Sequence, residues 1–373
     1  MLLFPSRNIP RPGACGFPIA WVLLLAFSSP DPVAARVSGP CGNCHTMHNS
    51  QNGAAPLVAG EANVPQGALT IGDCVGCHSS ASGETIEDRN GSRVPIVFNT
   101  AGYPDKPLAG GNFYYVATEG GGQDSYGHNV LGVSVPDAIL ERAPGSSEPR
   151  CNSCHESMAV DPATYPVWAK DKGGCRGCHQ NVKHHGAAPA AGNPETAASG
   201  WYRFLGGHSA PGRYVEGIED PDWEQNPAEG HNFYSGTDQW YESTSGLETT
   251  HTISAFCSGC HRDFHDLNGG TDESMGSPWL RHPVDFALPT GGEYGAYNPV
   301  AAYDPVAPVA WVNPAAPVRT EAVVMCLSCH RAHGSQYPDM LRWDYGKMLA
   351  HSNSEAAAPG TGCFVCHTTK DDV

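Results

Sequence analysis

Residues 326–343 read CLSCHRAHGSQYPDMLRW, and the first five of them, Cys-Leu-Ser-Cys-His, are one instance of a string that recurs throughout the chain. CxxCH also stands at 41–45 (CGNCH), 74–78 (CVGCH), 151–155 (CNSCH), 175–179 (CRGCH), 257–261 (CSGCH) and 363–367 (CFVCH), seven copies in all. The sequence has 15 Cys. Fourteen belong to these strings: Cys41, Cys44, Cys74, Cys77, Cys151, Cys154, Cys175, Cys178, Cys257, Cys260, Cys326, Cys329, Cys363 and Cys366. The fifteenth, Cys15, lies in the N-terminal stretch and is expected to leave with it.

The spacing has a chemical reason. Two thiols three residues apart can form thioethers with the two vinyl groups of one haem, and the adjoining His is then delivered to the iron. Disulfides and zinc sites also use paired cysteines, but neither requires a His after every second Cys. The sequence therefore implies seven covalent haem c groups, with His45, His78, His155, His179, His261, His330 and His367 as one axial ligand each.

Export agrees with this chemistry. Residues 1–35 have the layout of a secretory signal: Arg7 and Arg11, the apolar run Ile19 to Phe27, then small residues at Val33-Ala34-Ala35. The run is well short of the roughly 20 apolar residues of a membrane span. Cleavage after Ala35 is expected, leaving 36–373 as a single heptahaem domain. The formal charge of −17 disfavours nucleic acid, whose phosphates need a basic footprint, and no nucleic-acid partner is expected.

The rest of the composition bears on the fold. Gly 44 and Pro 32, with only 16% charged residues, disfavour long helices and a doubly wound sheet. The 338 residues after Ala35 allow roughly 48 per macrocycle, too few to enclose each in its own bundle or globin-like pocket. The expected fold class is a multihaem cytochrome c: mostly loop and turn, with short helices wrapped round a stacked haem chain and little sheet. A helical turn is expected at each motif, with loops over 101–124 and 289–318. The motif starts are 33, 77, 24, 82, 69 and 37 residues apart, which is no solenoid period.

Eleven His lie outside the motifs, enough to give every iron a second imidazole. Six-coordinate irons suit electron transfer and leave no position open for substrate. His48 and His333 follow a motif His by three residues and His265 by four, too short a reach to pass round their own macrocycle, so each is expected to serve another haem. His128 and His231 (both in GHN), His282 (LRHP) and His185 of the His184/His185 pair complete the expected distal set. His208, His251 and His351 are held in reserve. Met158 stands where a His follows the first and sixth motifs, and a packing role is expected for it.

CGNCHTMHNS (41–50), GHNV (127–130), YRFLGG (202–207), LRHP (280–283) and CLSCHRAHGSQYPDMLRW (326–343), in that order, resemble the outer-surface multihaem cytochromes of metal-reducing bacteria, most closely the hexahaem OmcS type. The resemblance implies bis-His ligation throughout, a continuous haem stack and polymerisation into conductive filaments. It also implies that His48 ligates a haem of the next subunit. Two departures stand out: seven motifs in place of six, with CRGCH at 175–179 as the additional one, and Met158 in place of His.

The expected function is thus electron transfer by a secreted protein at the outer cell surface, with other redox proteins or extracellular acceptors as partners. A monomeric periplasmic shuttle has the same motif content. A multihaem reductase would need one open iron, often announced by an altered motif, and all seven strings here end in His, so no enzyme activity is expected.

Overall fold

A computed structural model describes residues 36–46, 68–70, 73–101, 107–117, 124–140, 143–145, 158–160, 173–189, 192–197, 199–207, 212–225, 230–239, 241, 246–265, 282–348 and 360–369. The third motif (Cys151, Cys154, His155) and His48, His208 and His351 lie outside them, as does the N-terminal stretch 1–35.

Each described motif closes one helical turn. The N–H of the motif His donates to the carbonyl of the first Cys in all six: His45 to Cys41, His78 to Cys74, His179 to Cys175, His261 to Cys257, His330 to Cys326 and His367 to Cys363, at 2.8–3.1 Å. Such a turn puts both cysteines and the His on one side of the backbone. The fifth motif begins within the helix Ile253–Ser258, whose start is capped by Thr252 accepting from the Ala255 N–H at 3.0 Å.

The strands are β1 (Ser79–Ser80), β2 (Ile86–Arg89), β3 (Ser92–Pro95), β4 (Phe98–Asn99), β5 (Gly217–Ile218), β6 (Phe233–Ser235), β7 (Phe286–Ala287), β8 (Ala310–Trp311) and β9 (Ala322–Val324). β1 pairs with β4 in parallel. β2 and β3 form a hairpin with Arg89 opposite Ser92, turning through Asn90 and Gly91, both at positive φ (54° and 86°), as the commonest two-residue hairpin turn requires. The remaining five make one sheet in the order β5-β6-β8-β9-β7, with β6 and β8 parallel and the other pairs antiparallel.

That sheet carries a polypeptide core on both faces, more than the sequence composition suggests. On β8, Ala310 packs with Tyr234, Ile253 and Met325, while its neighbour Trp311 packs with Leu288, Val309 and Trp343. On β9, Val323 joins the first group and Ala322 and Val324 the second, the alternation of a strand buried on both sides. The strands are only two or three residues long, so most of the described chain is still turn and loop. Among the expected loops, 101–124 contains the short helix Tyr114–Ala117 and 289–318 contains β8. No helix among the described residues is long and apolar enough to cross a membrane.

The sheet positions the motifs. Met325, immediately after β9, leads into the sixth motif, and the Ser328 hydroxyl accepts from the Met325 N–H (3.0 Å) and donates to the Pro308 carbonyl (2.5 Å). Arg342, buried, braces the same loop by donating to the carbonyls of Leu327 (2.6 Å), His330 (3.2 Å), Pro305 (3.2 Å) and Ala109 (3.3 Å).

Candidate functional site

A cavity of about 3450 Å³ runs through the described residues, and its wall includes the His of every described motif but the seventh. Typical small-ligand pockets hold about 300–1,000 Å³. Cysteines of all six described motifs line it, and so do His128, His184, His185, His282 and His333.

The motif imidazoles are held in one orientation by a shared device. His45 Nδ1 lies 3.0 Å from the Ala68 carbonyl oxygen, His78 Nδ1 2.8 Å from that of Pro95, and His179 Nδ1 2.8 Å from that of Arg203. His261 Nδ1 is 2.9 Å from the Pro144 carbonyl and His330 Nδ1 2.8 Å from that of Asp339. His367 Nδ1 lies 3.2 Å from a carboxylate oxygen of Glu293. Carbonyl oxygens only accept, so Nδ1 carries the proton and Nε2 keeps its lone pair, the arrangement of metal-ligating histidines. Burial reinforces it: His78 and His261 are each held down to about 4, and His179 and His330 are shifted the same way. These rings are neutral near pH 7, as ligation requires.

Five of the six described motif rings face a second imidazole. The ring centroids are 6.1 Å apart for His45 and His185, 6.2 Å for His78 and His184, 6.0 Å for His179 and His333, 6.1 Å for His261 and His128, and 6.1 Å for His367 and His282. The interplanar angles run from 13° to 89°, so the shared spacing is not ring stacking. A metal bonded to one nitrogen of each ring at roughly 2 Å would hold the centroids roughly 6 Å apart. Burial lowers the partner rings too, His333 to about 3, with His128, His184 and His282 shifted in the same direction. The residues present fit the implied haems.

Two residues expected as ligands from sequence have other surroundings. His231 stacks flat on Tyr303 (3.5 Å, 5°) and leans on Phe233, with Nδ1 2.9 Å from the Asn232 carbonyl. His265 is buried against Tyr241 (4.1 Å), with Nε2 3.3 Å from Asp285. Neither lines the cavity or faces a motif imidazole among the described residues, and the third motif, whose His155 is still to be paired, lies outside them. His251, held in reserve, stacks on Tyr214 at 4.0 Å. Met158 packs against the fourth motif, its sulfur 3.9 Å from that of Cys178. His184, passed over in favour of its neighbour, faces His78.

The motifs also touch one another. Cys74 lies beside Cys175, and Cys257 beside Cys326. Cys178 lies within electrostatic range of Cys260, and Cys329 within that of Cys363 and Cys366.

Sequence comparison places this architecture among known proteins. A family model described as "Doubled CXXCH motif" matches residues 316–372, which hold the sixth and seventh motifs. The C-type cytochrome OmcS of Geobacter sulfurreducens is 26% identical over 377 residues, covering 86% of this chain and 82% of OmcS. The chain is thus similar to an OmcS-type multihaem cytochrome over most of its length. Two solved OmcS-type structures are similar to it, each at 20% identity: an outer membrane cytochrome S filament (TM-score 0.42, 90% of this chain and 92% of that one) and OmcS nanowires (TM-score 0.45, 90% and 91%), both from Geobacter sulfurreducens.

Proposed function

We propose that this protein is an extracellular electron conduit carrying seven covalent haem c groups, each iron held between two imidazoles. The observation that carries the reading is the common 6.0–6.2 Å separation of five imidazole pairs, each joining one motif His to one His from elsewhere in the chain. Each pair of motif cysteines would tether one porphyrin, and the haems supply reversible one-electron exchange at iron. The polypeptide would hold the motif imidazoles through Nδ1 and present a second imidazole to five of the irons, and a filled sixth position leaves no site for substrate. This arrangement favours conduction over catalysis.

The contacts between motifs support a continuous row. Cys74 meets Cys175, Cys178 approaches Cys260, Cys257 meets Cys326, and Cys329 approaches Cys363 and Cys366. The haems of the second, fourth, fifth, sixth and seventh motifs then follow one another in that order, with the polypeptide wrapped round them. In this row the additional motif at 175–179 is a link in series.

His330 faces no second imidazole among the described residues. We assign its sixth ligand to His48 of a neighbouring copy, which would join subunits into a filament by a metal bond at each junction. Secretion through the signal at 1–35 delivers the chain to the compartment where its acceptors are, and redox proteins or extracellular acceptors exchange electrons with the ends of the row.

Expression in a host that matures c-type cytochromes tests this reading. The intact mass should show seven covalent haems and an N-terminus at Arg36. Electron microscopy should show filaments that His48→Ala reduces to single subunits. A wild-type protein that stays monomeric at high concentration would overturn the filament, and a preparation without covalent haem would overturn the whole reading.

A further inference from the structure

The pair His184-His185 occupies the two central positions of a turn closed by the Gly186 N–H donating to the Lys183 carbonyl at 2.8 Å. Side chains at those positions diverge. Here one ring faces His78 at 6.2 Å and the other faces His45 at 6.1 Å, so consecutive residues point at the motif imidazoles of two different attachment strings. We propose that this dipeptide supplies the sixth ligand to two irons at once, His184 to the haem of the second motif and His185 to that of the first, and thereby stitches the first two haems to the segment bearing the fourth. The proposal rests on the haem reading above and adds to it a ligand, His184, and a shared support.

The turn is held from behind. The Arg36 and Val37 N–H groups donate to the carbonyls of Gly186 (3.0 Å) and His184 (3.2 Å), so the start of the described chain pairs with the turn. The Arg36 guanidinium lies 4.6 Å over the Phe204 ring, whose edge meets His184, and forms an ion pair with Glu195 at 2.7 Å. The far rings are as well fixed, His45 and His78 donating from Nδ1 to the Ala68 and Pro95 carbonyls. Both ends of both candidate ligand pairs are therefore set before any metal enters, and the two sites depend on one turn. The fourth motif's own His179 lies only five residues before His184, so residues 175–185 would hold one haem by thioether and cap two more.

The test uses the full-length holoprotein and carbon monoxide, which binds reduced haem only where the sixth position is open. His184→Ala and His185→Ala should each retain seven covalent haems by mass and take up one equivalent of carbon monoxide per chain beyond the wild type. The double variant should take up two. Added imidazole should return each single variant to a fully low-spin spectrum, a rescue that a merely structural role would not allow. If an alanine variant fails to mature, His184→Met and His185→Met decide instead. Each should keep all haems six-coordinate and raise the potential of one of them, with the long-wavelength absorption band of Met-ligated ferric haem. Seven haems with no extra carbon monoxide uptake in both alanine variants would overturn the proposal, while a wild type lacking covalent haem would instead overturn the functional reading beneath it.

Discussion

His128 donates its Nδ1 proton to the carbonyl of Ala332 at 2.6 Å, so one ring that faces a motif imidazole is aimed by the backbone immediately before another, His333. The two belong to different pairs, with His261 and His179 respectively, and both depend on the same loop. That loop is pinned where His333 N–H donates to Gly110 (2.7 Å), Asn112 N–H to Gly334 (3.0 Å) and Ser335 N–H to Tyr126 (2.9 Å).

Gly334 makes the pinning sensitive. Its φ is +151°, and a Cβ there would lie 2.8 Å from the Asn112 carbonyl and 2.9 Å from that of Tyr126. Gly334→Ala is expected to destabilise the protein by about 2 kcal/mol through strain and displacement. Because both rings move with the loop, high-spin character should appear at up to two haems, read by thermal unfolding and ferric absorption spectra.

Arg342 offers a separate test of the loop's support. Its guanidinium satisfies four carbonyls from a buried position. Arg342→Lys keeps the charge and loses the planar fork, leaving acceptors unmet, and is expected to cost about 3 kcal/mol. Denaturant unfolding of the holoprotein measures it, and an unchanged midpoint would contradict the bracing role.

His231 and His282 separate ligands from look-alikes. His282→Ala should open one haem to carbon monoxide, because His282 faces His367 across 6.1 Å. His231→Phe should open none, and should leave stability within about 1 kcal/mol because stacking on Tyr303 is retained. Carbon monoxide titration of the two variants side by side gives the answer.

Glu195 gives the fold a pH dependence. Burial and the nearby Glu219 push its carboxyl up to about 7, against the opposing Arg36. A carboxyl raised in the folded state contributes stability that is fully present below its unfolded value near 4.5 and is lost as pH rises through about 7. The melting temperature should therefore fall between pH 5.5 and 8.5, and Glu195→Gln should flatten that decline.

The attachment strings were legible because thioether chemistry dictates residue type and spacing together, and the turn at each described motif follows from the same five residues. The distal histidines were legible only in part. GHN occurs at 127–129 and again at 230–232, yet His128 faces His261 while His231 lies on Tyr303, because the difference resides in residues far along the chain. His184 was missed because one ligand was expected from the doublet, whereas the turn from Lys183 to Gly186 splays both rings. The five-stranded sheet left little trace: strands of two or three residues are too short to show a period, and β6 pairs with β8 across more than seventy residues, Tyr234 with Ala310. Tertiary pairing, such as Val37 with His184, helps bring a second imidazole to five of the described motifs.

Electron paramagnetic resonance of the fully oxidised, full-length holoprotein tests the central claim most directly, since it counts ferric irons by their axial environment. If imidazole caps both faces of every haem, the spectrum integrates to seven low-spin centres per chain, the number of attachment strings. A stoichiometric high-spin signal in the assembled protein would contradict that account.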